Sequence, residues 1–258
     1  MITAGIDIGT RLTKIVIIDD GHLIASSCIL STYHPKEIHQ ALKKTIQSAG
    51  LKKGSIESTL STGFGASSLK GYHSIRSSES SIVRAVHFLN PNARTIIDVG
   101  ALFFRVVQLD HTHSCIDIHE NEKCASGSGR FLEMVARMAD LSIDQIRQMP
   151  VQSTSTFNMR HQCAVFAESE IITRLHAGDT ITDIIFGVLV SIAKKIQTLI
   201  GRIENPEPEI VVCGGMATIP SWICIMENII QMKTVRLPID PILMSAFGAA
   251  LLAGNFLK

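Results

Sequence analysis

The sequence predicts an α/β protein made of two similar halves. Strand-like and helix-like runs alternate along the whole chain, and no low-complexity linker interrupts them. Two stretches also repeat one pattern: an apolar strand, Asp-x-Gly, and a basic residue seven positions after the Asp. They are "GIDIGTRLTKIVIID" at 5–19 and "IIDVGALFFRVVQLD" at 96–110. The repeat predicts two related domains with a cleft between them.

The first half continues from its repeat with a third strand, "HLIASSCIL" at 22–30, and a helix over 35–49. The run "TLSTGFG" at 59–65 is typical of a strand that ends in a glycine turn. A helix is predicted over 77–89, and it completes this half of the chain.

The second half follows the same order, with a third strand in "SCIDIHE" at 114–120 and a helix over 128–140. Three further helices are predicted, and a strand with a glycine turn stands before the last of them. The helices span 164–177, 180–204 and 245–257, and the strand is "EIVVCGG" at 209–215. The expected first domain is 1–93 together with the C-terminal helix segment 243–258, and the expected second domain is 94–242.

Composition narrows the class of protein. A chain of 258 residues with 46% hydrophobic content can bury a sizeable core. A net charge of +1 gives no electrostatic reason to expect a nucleic-acid partner. No apolar run approaches the roughly 20 residues that span a bilayer, and "MITAGIDIGT" does not resemble a signal peptide. We therefore expect a cytoplasmic protein without nucleic-acid or membrane partners and with reduced thiols.

Four of the six cysteines are expected to be small core residues, because they stand in apolar runs. Cys28, Cys115 and Cys213 lie in strand-like runs, and Cys224 lies in a helix-like run. The other two, Cys124 and Cys163, each precede a predicted helix and need a separate explanation.

A strand that ends in Asp-x-Gly and a tight turn suits phosphate binding. Glycine lets the backbone approach a ligand, free N–H groups can cradle phosphate, and the carboxylate can hold Mg²⁺ directly or through water. A single such motif is often an ordinary turn. Two copies together with "STGFG" and "CGGMA" favour a nucleotide site.

The order of "GIDIGT", "STGFG", "IIDVG", "VVCGGMA" and "SAFGAALLAG" resembles the superfamily of actin, hexokinase and the heat-shock chaperones. The resemblance implies two ribonuclease-H-like domains, an actin/hexokinase-like ATPase fold, with ATP or ADP in the cleft between them. It also implies that Asp7 and Asp98 are catalytic and that Asp7 holds Mg²⁺. Nucleotide-binding residues would be Gly9, Thr10 and Lys14 in the first phosphate loop, Gly100 in the second, and Gly214 and Gly215 at the adenosine.

Cys124 in "NEKCASGSGRF" and Cys163 in "RHQCAVFAESE" stand before helix starts, where the helix dipole favours a thiolate. Gly127 and Gly129 lie in the turn between Cys124 and the helix that follows it. They are candidate cofactor-binding residues, because their backbone N–H groups could donate hydrogen bonds to sulfur. The two thiols could be incidental, nucleophiles or metal ligands. An ordinary iron–sulfur cluster takes four thiolates, which two chains of a symmetric dimer would supply.

"NEKCASGSGRFLEMVARMADL" and "CAVFAESEIITRLHAG" closely resemble the ATP-dependent activators of 2-hydroxyacyl-CoA dehydratases in the BadF/BadG/BcrA/BcrD ATPase family. That family also includes the ATPase subunits of benzoyl-CoA reductase, and the resemblance covers essentially the whole chain. It implies a homodimer with one [4Fe–4S] cluster, ligated by Cys124 and Cys163 of both subunits. It further implies ATP-driven transfer of a low-potential electron to an iron–sulfur partner enzyme, a dehydratase or a reductase.

The chain departs from the family after the second Asp-x-Gly. Members usually continue with glycine, glutamine and aspartate, whereas this chain has Ala101, Leu102 and Phe103. These apolar residues predict slow hydrolysis, so a hydrolysis-impaired nucleotide-binding assembly or activation factor for another metalloenzyme stays open. A small-molecule kinase of the same fold is a further alternative, although it would need an aspartate in this apolar position.

Overall fold

The computed structural model describes residues 1–69, 74–121, 129–150, 164–204 and 206–254. The chain divides into two compact units. The first is Met1–Asn92 together with Leu237–Lys258, and the second is Ala93–Arg236.

The described residues of the first unit form a five-stranded sheet and three α-helices. Its strands are β1 (Ile2–Ile8), β2 (Leu12–Asp19), β3 (His22–Leu30), β4 (Ser58–Thr62) and β5 (Ser74–Ile75), and its helices are α1 (Pro35–Ser48), α2 (Ser78–Leu89) and α8 (Met244–Ala253). The sheet order is β3-β2-β1-β4-β5, with β1 antiparallel to β2 and parallel to β4. The carboxyl ends of β1 and β4 therefore meet at one edge of the sheet.

Small residues bring α8 close to both the sheet and α2. A Cβ at Gly5 in β1 would clash with backbone atoms of Ala246 and Ala250, and a Cβ at Gly248 would clash with the carbonyl of Ser81. The small side chains of the "SAFGAALLAG" helix therefore allow this close packing. A separate apolar cluster joins β1 and β2 to α1.

The second unit repeats the sheet and adds a larger helical layer. Its strands are β6 (Thr95–Val99), β7 (Phe104–Leu109), β8 (Cys115–Glu120), β9 (Ile210–Cys213) and β10 (Thr234–Val235). Its helices are α3 (Gly129–Met138), α4 (Ile143–Gln148), α5 (Ala164–His176), α6 (Ile181–Ile200) and α7 (Pro220–Ile230). The order β10-β9-β6-β7-β8 is the order of the first sheet read from the other edge.

Local signals explain several helix starts. Ser77 accepts a hydrogen bond from the backbone N–H of Ser80 before α2, and Thr180 accepts one from Asp183 before α6. Ser142 and Gln145 form a reciprocal capping box at α4. Helix α6 supplies nine residues to the apolar core of this unit, which explains the apolar face in its sequence.

Three of the four cysteines predicted to lie in the core are exposed, so that prediction was wrong for Cys28, Cys115 and Cys224. Cys28 and Cys115 lie on β3 and β8, which are edge strands. Cys224 lies outside the set of α7 residues that face the core. Cys213 is buried in β9, as predicted.

No helix in the described ranges is long and apolar enough to cross a membrane.

Candidate functional site

The first candidate phosphate turn links β1 to β2. Asp7 lies opposite Lys14 in the strand register, and Lys14 Nζ donates to Asp7 Oδ2 at 2.8 Å. Both side chains are largely buried. Gly9 N donates to the carbonyl of Leu12 at 3.1 Å, which closes the turn. The strand pairing thus converts the seven-residue spacing of the sequence into a buried ion pair.

Gly9 fits a place where the chain has no room for a side chain. A Cβ there would lie 2.9 Å from the carbonyl of Leu12 and 2.9 Å from Lys14 Nζ. Thr10 follows at the half-buried tip of the turn. The turn therefore combines tightly folded backbone with a nearby ammonium group, which are the elements of an anion site.

The second turn, between β6 and β7, repeats this arrangement. Asp98 lies opposite Arg105 in the register, Arg105 Nε donates to Asp98 Oδ2 at 3.0 Å, and both residues are buried. Gly100 N donates to the carbonyl of Phe103 at 2.8 Å. The internal repeat of the sequence therefore corresponds to two turns of the same construction, one in each unit.

A glycine on the neighbouring parallel strand approaches each aspartate. Gly63 follows β4 with φ +88°, and a Cβ there would clash with Asp7 Oδ1 and the Ile8 carbonyl. Gly214 follows β9 with φ +89°, and a Cβ there would clash with the Val99 carbonyl and lie 2.9 Å from Asp98 Oδ1. These two glycines extend the structural repeat from the turn to the strand beside it.

A buried hydroxyl at the end of β4 lies on the face of the sheet that carries Asp7. Ser61 and Thr62 are fully buried, and their Oγ and Oγ1 atoms make no hydrogen bond in the part of the chain that the structure describes. Thr62 is the register partner of Asp7. Buried hydroxyls ordinarily have partners. Thr62 and the Asp7 carboxylate lie on the same face of the sheet and suit a polar ligand or a hydrated cation, whereas Ser61 lies on the opposite face.

The turn at β9 places Gly214 and Gly215 directly after a buried thiol. Gly215 opens a short 3-10 helix over Gly215–Thr218, and nothing described lies within 4 Å of a Cβ built on it. Burial, and then the nearby Asp98 carboxylate, raises the pKa of the Cys213 thiol well above its ordinary value. Cys213 is therefore a protonated core residue at neutral pH and not a nucleophile.

Two side chains that sequence reasoning missed hold the turns in place. Ser31, just after β3, donates from Oγ to the Gly9 carbonyl at 2.6 Å. Asn121, just after β8, accepts at Oδ1 from Phe104 N at 2.8 Å and donates from Nδ2 to the Leu102 carbonyl at 3.1 Å. Their shared position at the end of a third strand is the signal that could have found them.

The cysteine region is described in part. Cys124, Gly127 and Cys163 lie outside the described residues. Gly129 is the first residue of α3, and its N–H donates to the Gly100 carbonyl at 3.0 Å. Among the described residues, no group of three or more His, Cys, Asp or Glu side chains could hold a metal ion.

The predicted residues thus fall into two groups. The structure places Asp7, Gly9, Thr10 and Lys14 together in the first unit. It brings Gly129 against Gly100 in the second unit, where Asp98 and Gly214 also approach each other, with Gly215 next in the chain.

Comparisons with known proteins agree with the fold. The activator of the 2-hydroxyisocaproyl-CoA dehydratase from Clostridium difficile, solved with bound ADPNP, superposes with a TM-score of 0.92 at 32% identity, covering 99% of this chain and 95% of that one. Component A of the Acidaminococcus fermentans (R)-2-hydroxyglutaryl-CoA dehydratase gives 0.91 at 29% identity, covering 99% and 98%. The predicted α/β fold, with two domains of the actin/hexokinase-like ATPase type, is confirmed.

Sequence comparison agrees over the same length. The activator of lactoyl-CoA dehydratase from Anaerotignum propionicum is 34% identical over 254 residues, which are 98% of this chain and 97% of the relative. The model of the BadF/BadG/BcrA/BcrD ATPase family matches residues 4–253. The chain therefore belongs to the BadF/BadG/BcrA/BcrD ATPase family.

Proposed function

We propose that the protein is an ATP-dependent activator that passes a low-potential electron to an iron–sulfur partner enzyme. The observation that carries the proposal is the duplicated Asp–base turn in a chain that matches an ATPase family along nearly its whole length. Relatives named as activators of 2-hydroxyacyl-CoA dehydratases, and a relative named as one of the subunits of benzoyl-CoA reductase, support a dehydratase or reductase partner.

In this proposal each turn contributes to nucleotide binding and hydrolysis. Gly9, Thr10 and Lys14 contact phosphate oxygens, and Gly100 brings the second backbone turn to the phosphates. The Asp7 carboxylate, with the buried Thr62 hydroxyl on the same face of the sheet, would hold hydrated Mg²⁺, which prefers oxygen ligands and retains waters.

The remaining site residues complete that assignment. Asp98 is the catalytic carboxylate of the second turn, and Gly214 and Gly215 contact the adenosine. Since Lys14 and Arg105 already pair with the two aspartates, each carboxylate has a fixed orientation before nucleotide arrives. Fixed groups of this kind are what phosphoryl transfer chiefly requires.

The proposed electron carrier is one [4Fe–4S] cluster shared by a homodimer in the cytoplasm. Cys124 and Cys163 of both subunits would ligate it, with Gly127 and Gly129 supplying backbone N–H groups nearby. When bound, such a cluster supplies one-electron chemistry, and four thiolates are its usual ligands. This assignment rests on the family and on the two helix-opening cysteines of the sequence.

A second candidate is supported by the apolar sequence of the second turn. The side chains of Ala101, Leu102 and Phe103 have no oxygen or nitrogen atom that could orient water or ligate Mg²⁺. A protein that binds nucleotide without efficient hydrolysis could act as an assembly or activation factor for another metalloenzyme. The rate of ATP turnover separates this candidate from the first.

Iron content and subunit mass test the proposal. Anaerobically purified protein should contain about two iron atoms per chain, because four thiolates from two chains hold one cluster of four. Cys124→Ala and Cys163→Ala should each abolish the iron and its absorbance. Cys28→Ala is the matched control, since Cys28 is exposed on β3 and should leave the iron unchanged. Full iron content in a Cys163→Ala monomer would overturn the cluster assignment.

A further inference from the structure

The backbone of the first phosphate turn is held from outside the turn by Ser31, which lies just after β3. Ser31 Oγ donates to the Gly9 carbonyl at 2.6 Å. Ser31 N also donates to the Arg11 carbonyl at 3.0 Å. One residue therefore directs two carbonyl groups of the turn toward itself.

A second hydroxyl fixes the direction of the side-chain contact. Thr13 Oγ1 lies 3.0 Å from Ser31 Oγ, and Thr13 is fully buried. A serine hydroxyl has one proton to donate, and a carbonyl oxygen can only accept it. Because Ser31 uses its proton on the Gly9 carbonyl, Thr13 is the donor in the contact between the two hydroxyls. The three groups form a chain in which Thr13 donates to Ser31 and Ser31 donates to Gly9.

The Gly9 carbonyl and the Thr10 N–H belong to one peptide unit. The peptide bonds of the described residues are trans, and in a planar trans peptide the C=O and N–H groups point in opposite directions. Ser31 therefore directs Thr10 N–H away from itself, and its hydrogen bond to the carbonyl polarises this N–H into a stronger donor. Within the described residues no hydrogen bond engages Thr10 N–H. This N–H is thus available to a ligand acceptor such as a phosphate oxygen.

The second turn has the same arrangement with a different donor. Its Gly100 carbonyl accepts from Gly129 N at 3.0 Å. In both turns, the carbonyl of the Asp-x-Gly glycine is therefore bound by a group from outside the turn. The donor of the second turn is a backbone N–H, which a side-chain substitution cannot remove. The donor of the first turn is a side chain, so its role can be tested by substitution.

We propose that Ser31 is a positioning residue that sets the affinity of the first turn for nucleotide phosphate by orienting Thr10 N–H. The inference rests on the proposed function, because it requires phosphate oxygens to contact this turn. Anion sites of this type depend on N–H groups that point at the ligand. By binding two carbonyl groups, Ser31 also keeps their negative partial charges directed away from that side of the turn. Its removal should weaken phosphate binding and leave recognition of adenosine unchanged.

Calorimetry on anaerobically purified protein tests this role with two ligands. Mg-ADPNP, a non-hydrolysable analogue, carries the phosphates, and adenosine carries none. Ser31→Ala should weaken binding of Mg-ADPNP about 2- to 12-fold, the equilibrium factor of one net hydrogen bond. The affinity for adenosine should be unchanged, since Gly214 and Gly215, which are proposed to contact adenosine, belong to the other unit.

Three further variants separate positioning from a general loss of stability. Ser31→Thr keeps a hydroxyl donor for the Gly9 carbonyl and should bind Mg-ADPNP as tightly as the unmodified protein. Ser31→Cys keeps the size of the side chain but has only a weak donor. It should resemble Ser31→Ala, and it carries the test if Ser31→Ala fails to fold.

Ser48→Ala is the matched control. Ser48 Oγ also donates to a backbone carbonyl, that of Thr45 at 2.9 Å, but it does so on α1. The substitution removes a hydrogen bond of the same kind at a distance from both turns in the chain. It should leave the affinities for Mg-ADPNP and adenosine unchanged.

The results separate the inference from the proposed function. Unchanged Mg-ADPNP affinity in Ser31→Ala, or in Ser31→Cys where the alanine variant does not fold, would overturn the positioning role alone. Equal losses for Mg-ADPNP and adenosine would also overturn it, because Ser31 would then support the fold and not the phosphate contact. A loss in Ser31→Thr or in Ser48→Ala as large as that in Ser31→Ala would have the same consequence. Absence of any Mg-ADPNP binding to the unmodified protein would overturn the proposed function and this inference together.

Discussion

Lys14 Nζ lies 2.8 Å from Asp7 Oδ2 across the β1–β2 pair, and both side chains are largely buried. The same pairing recurs between Arg105 and Asp98 in the second unit. An aspartate held in this way keeps one oxygen on its partner base and leaves the other oxygen beside the glycine of the next strand. Each ion pair therefore positions a carboxylate as well as contributing to the fold.

We expect Lys14→Met to lower the free energy of unfolding by about 3 kcal/mol, because it leaves the buried Asp7 carboxylate without its partner. Urea unfolding at neutral pH measures the change. The double variant Asp7→Asn, Lys14→Met should recover part of the loss, since it removes the uncompensated charge.

Lys233→Met is the matched control. Lys233 pairs with Glu227 at 2.9 Å, but its side chain is 86% exposed. Exposed pairs contribute about 0–1 kcal/mol, so this variant should be nearly neutral. Equal losses in Lys14→Met and Lys233→Met would contradict the importance of the buried pair.

Gly63→Ala should lower the free energy of unfolding by about 2–4 kcal/mol and weaken Mg-ATP binding. The positive φ disfavours a side chain, and the added Cβ clashes with Asp7 Oδ1. Gly214→Ala should lower stability and weaken Mg-ATP binding in the same way, because it lies against the second turn. Unfolding curves and calorimetry measure both effects.

Gly50→Ala controls for backbone conformation alone. Gly50 also has a positive φ, +69°, but nothing described lies within 4 Å of a Cβ there. It should cost about 1–2 kcal/mol and leave nucleotide affinity unchanged. If Gly63→Ala binds Mg-ATP as tightly as Gly50→Ala, the approach of β4 to Asp7 has no role in the site.

Local sequence patterns were sufficient for β1–β4, β6–β9, most of the helices and the Asp–base turns. They did not predict the two-residue strands β5 and β10 or the helix α4, and they indicated α7 only as a helix-like run around Cys224. Asp7 and Lys14 come into contact because the tight turn sets the register of β1 against β2. The local sequence determines this turn. The approach of Gly63 to Asp7 and the contacts of Asn121 depend on how distant segments pack, so spacing could not reveal them. The core predictions for Cys28 and Cys115 failed for a related reason, since an apolar run does not indicate that β3 or β8 lies at a sheet edge.

Cys213 should resist thiol reagents at pH 8 in the folded protein, because burial raises its pKa well above the ordinary value of 9.0. Cys115 and Cys224 are exposed and serve as internal references for accessible thiols. Alkylation followed by peptide mass spectrometry measures each site. Rapid modification of Cys213 under conditions that preserve the fold would contradict its assignment as a core residue.

The raised pKa of Cys213 also fixes the sign of a pH effect. Below pH 9 the thiol is protonated in both the folded and the unfolded chain, so its contribution to stability is constant. Above pH 9 the unfolded chain loses the proton first, and the folded state loses stability as the pH rises. The stability advantage of the unmodified protein over Cys213→Ala should therefore shrink between pH 8 and pH 10, as measured by urea unfolding.

The last prediction concerns the apolar residues of the second turn. The unmodified protein should bind Mg-ATP, because it retains the proposed phosphate-turn residues Asp7, Lys14, Asp98 and Gly100. Asp7→Ala should weaken this binding. Hydrolysis should be slow, since Leu102 and Phe103 cannot position water or metal for attack on the γ-phosphate. Losing one preorganised group of this kind costs on the order of 10²-fold in rate.

Leu102→Gln combined with Phe103→Asp should raise the hydrolysis rate by about that factor. Both side chains are half-buried at the turn, so polar replacements retain access to water. The contact from Asn121 is to the backbone carbonyl of residue 102, which the substitution preserves. Leu102→Met, Phe103→Leu is the apolar control and should leave the rate low. Phosphate release and calorimetry on each variant give rate and affinity separately. Brisk hydrolysis by the unmodified chain would show that a different side chain positions the water and that the second turn has been misinterpreted.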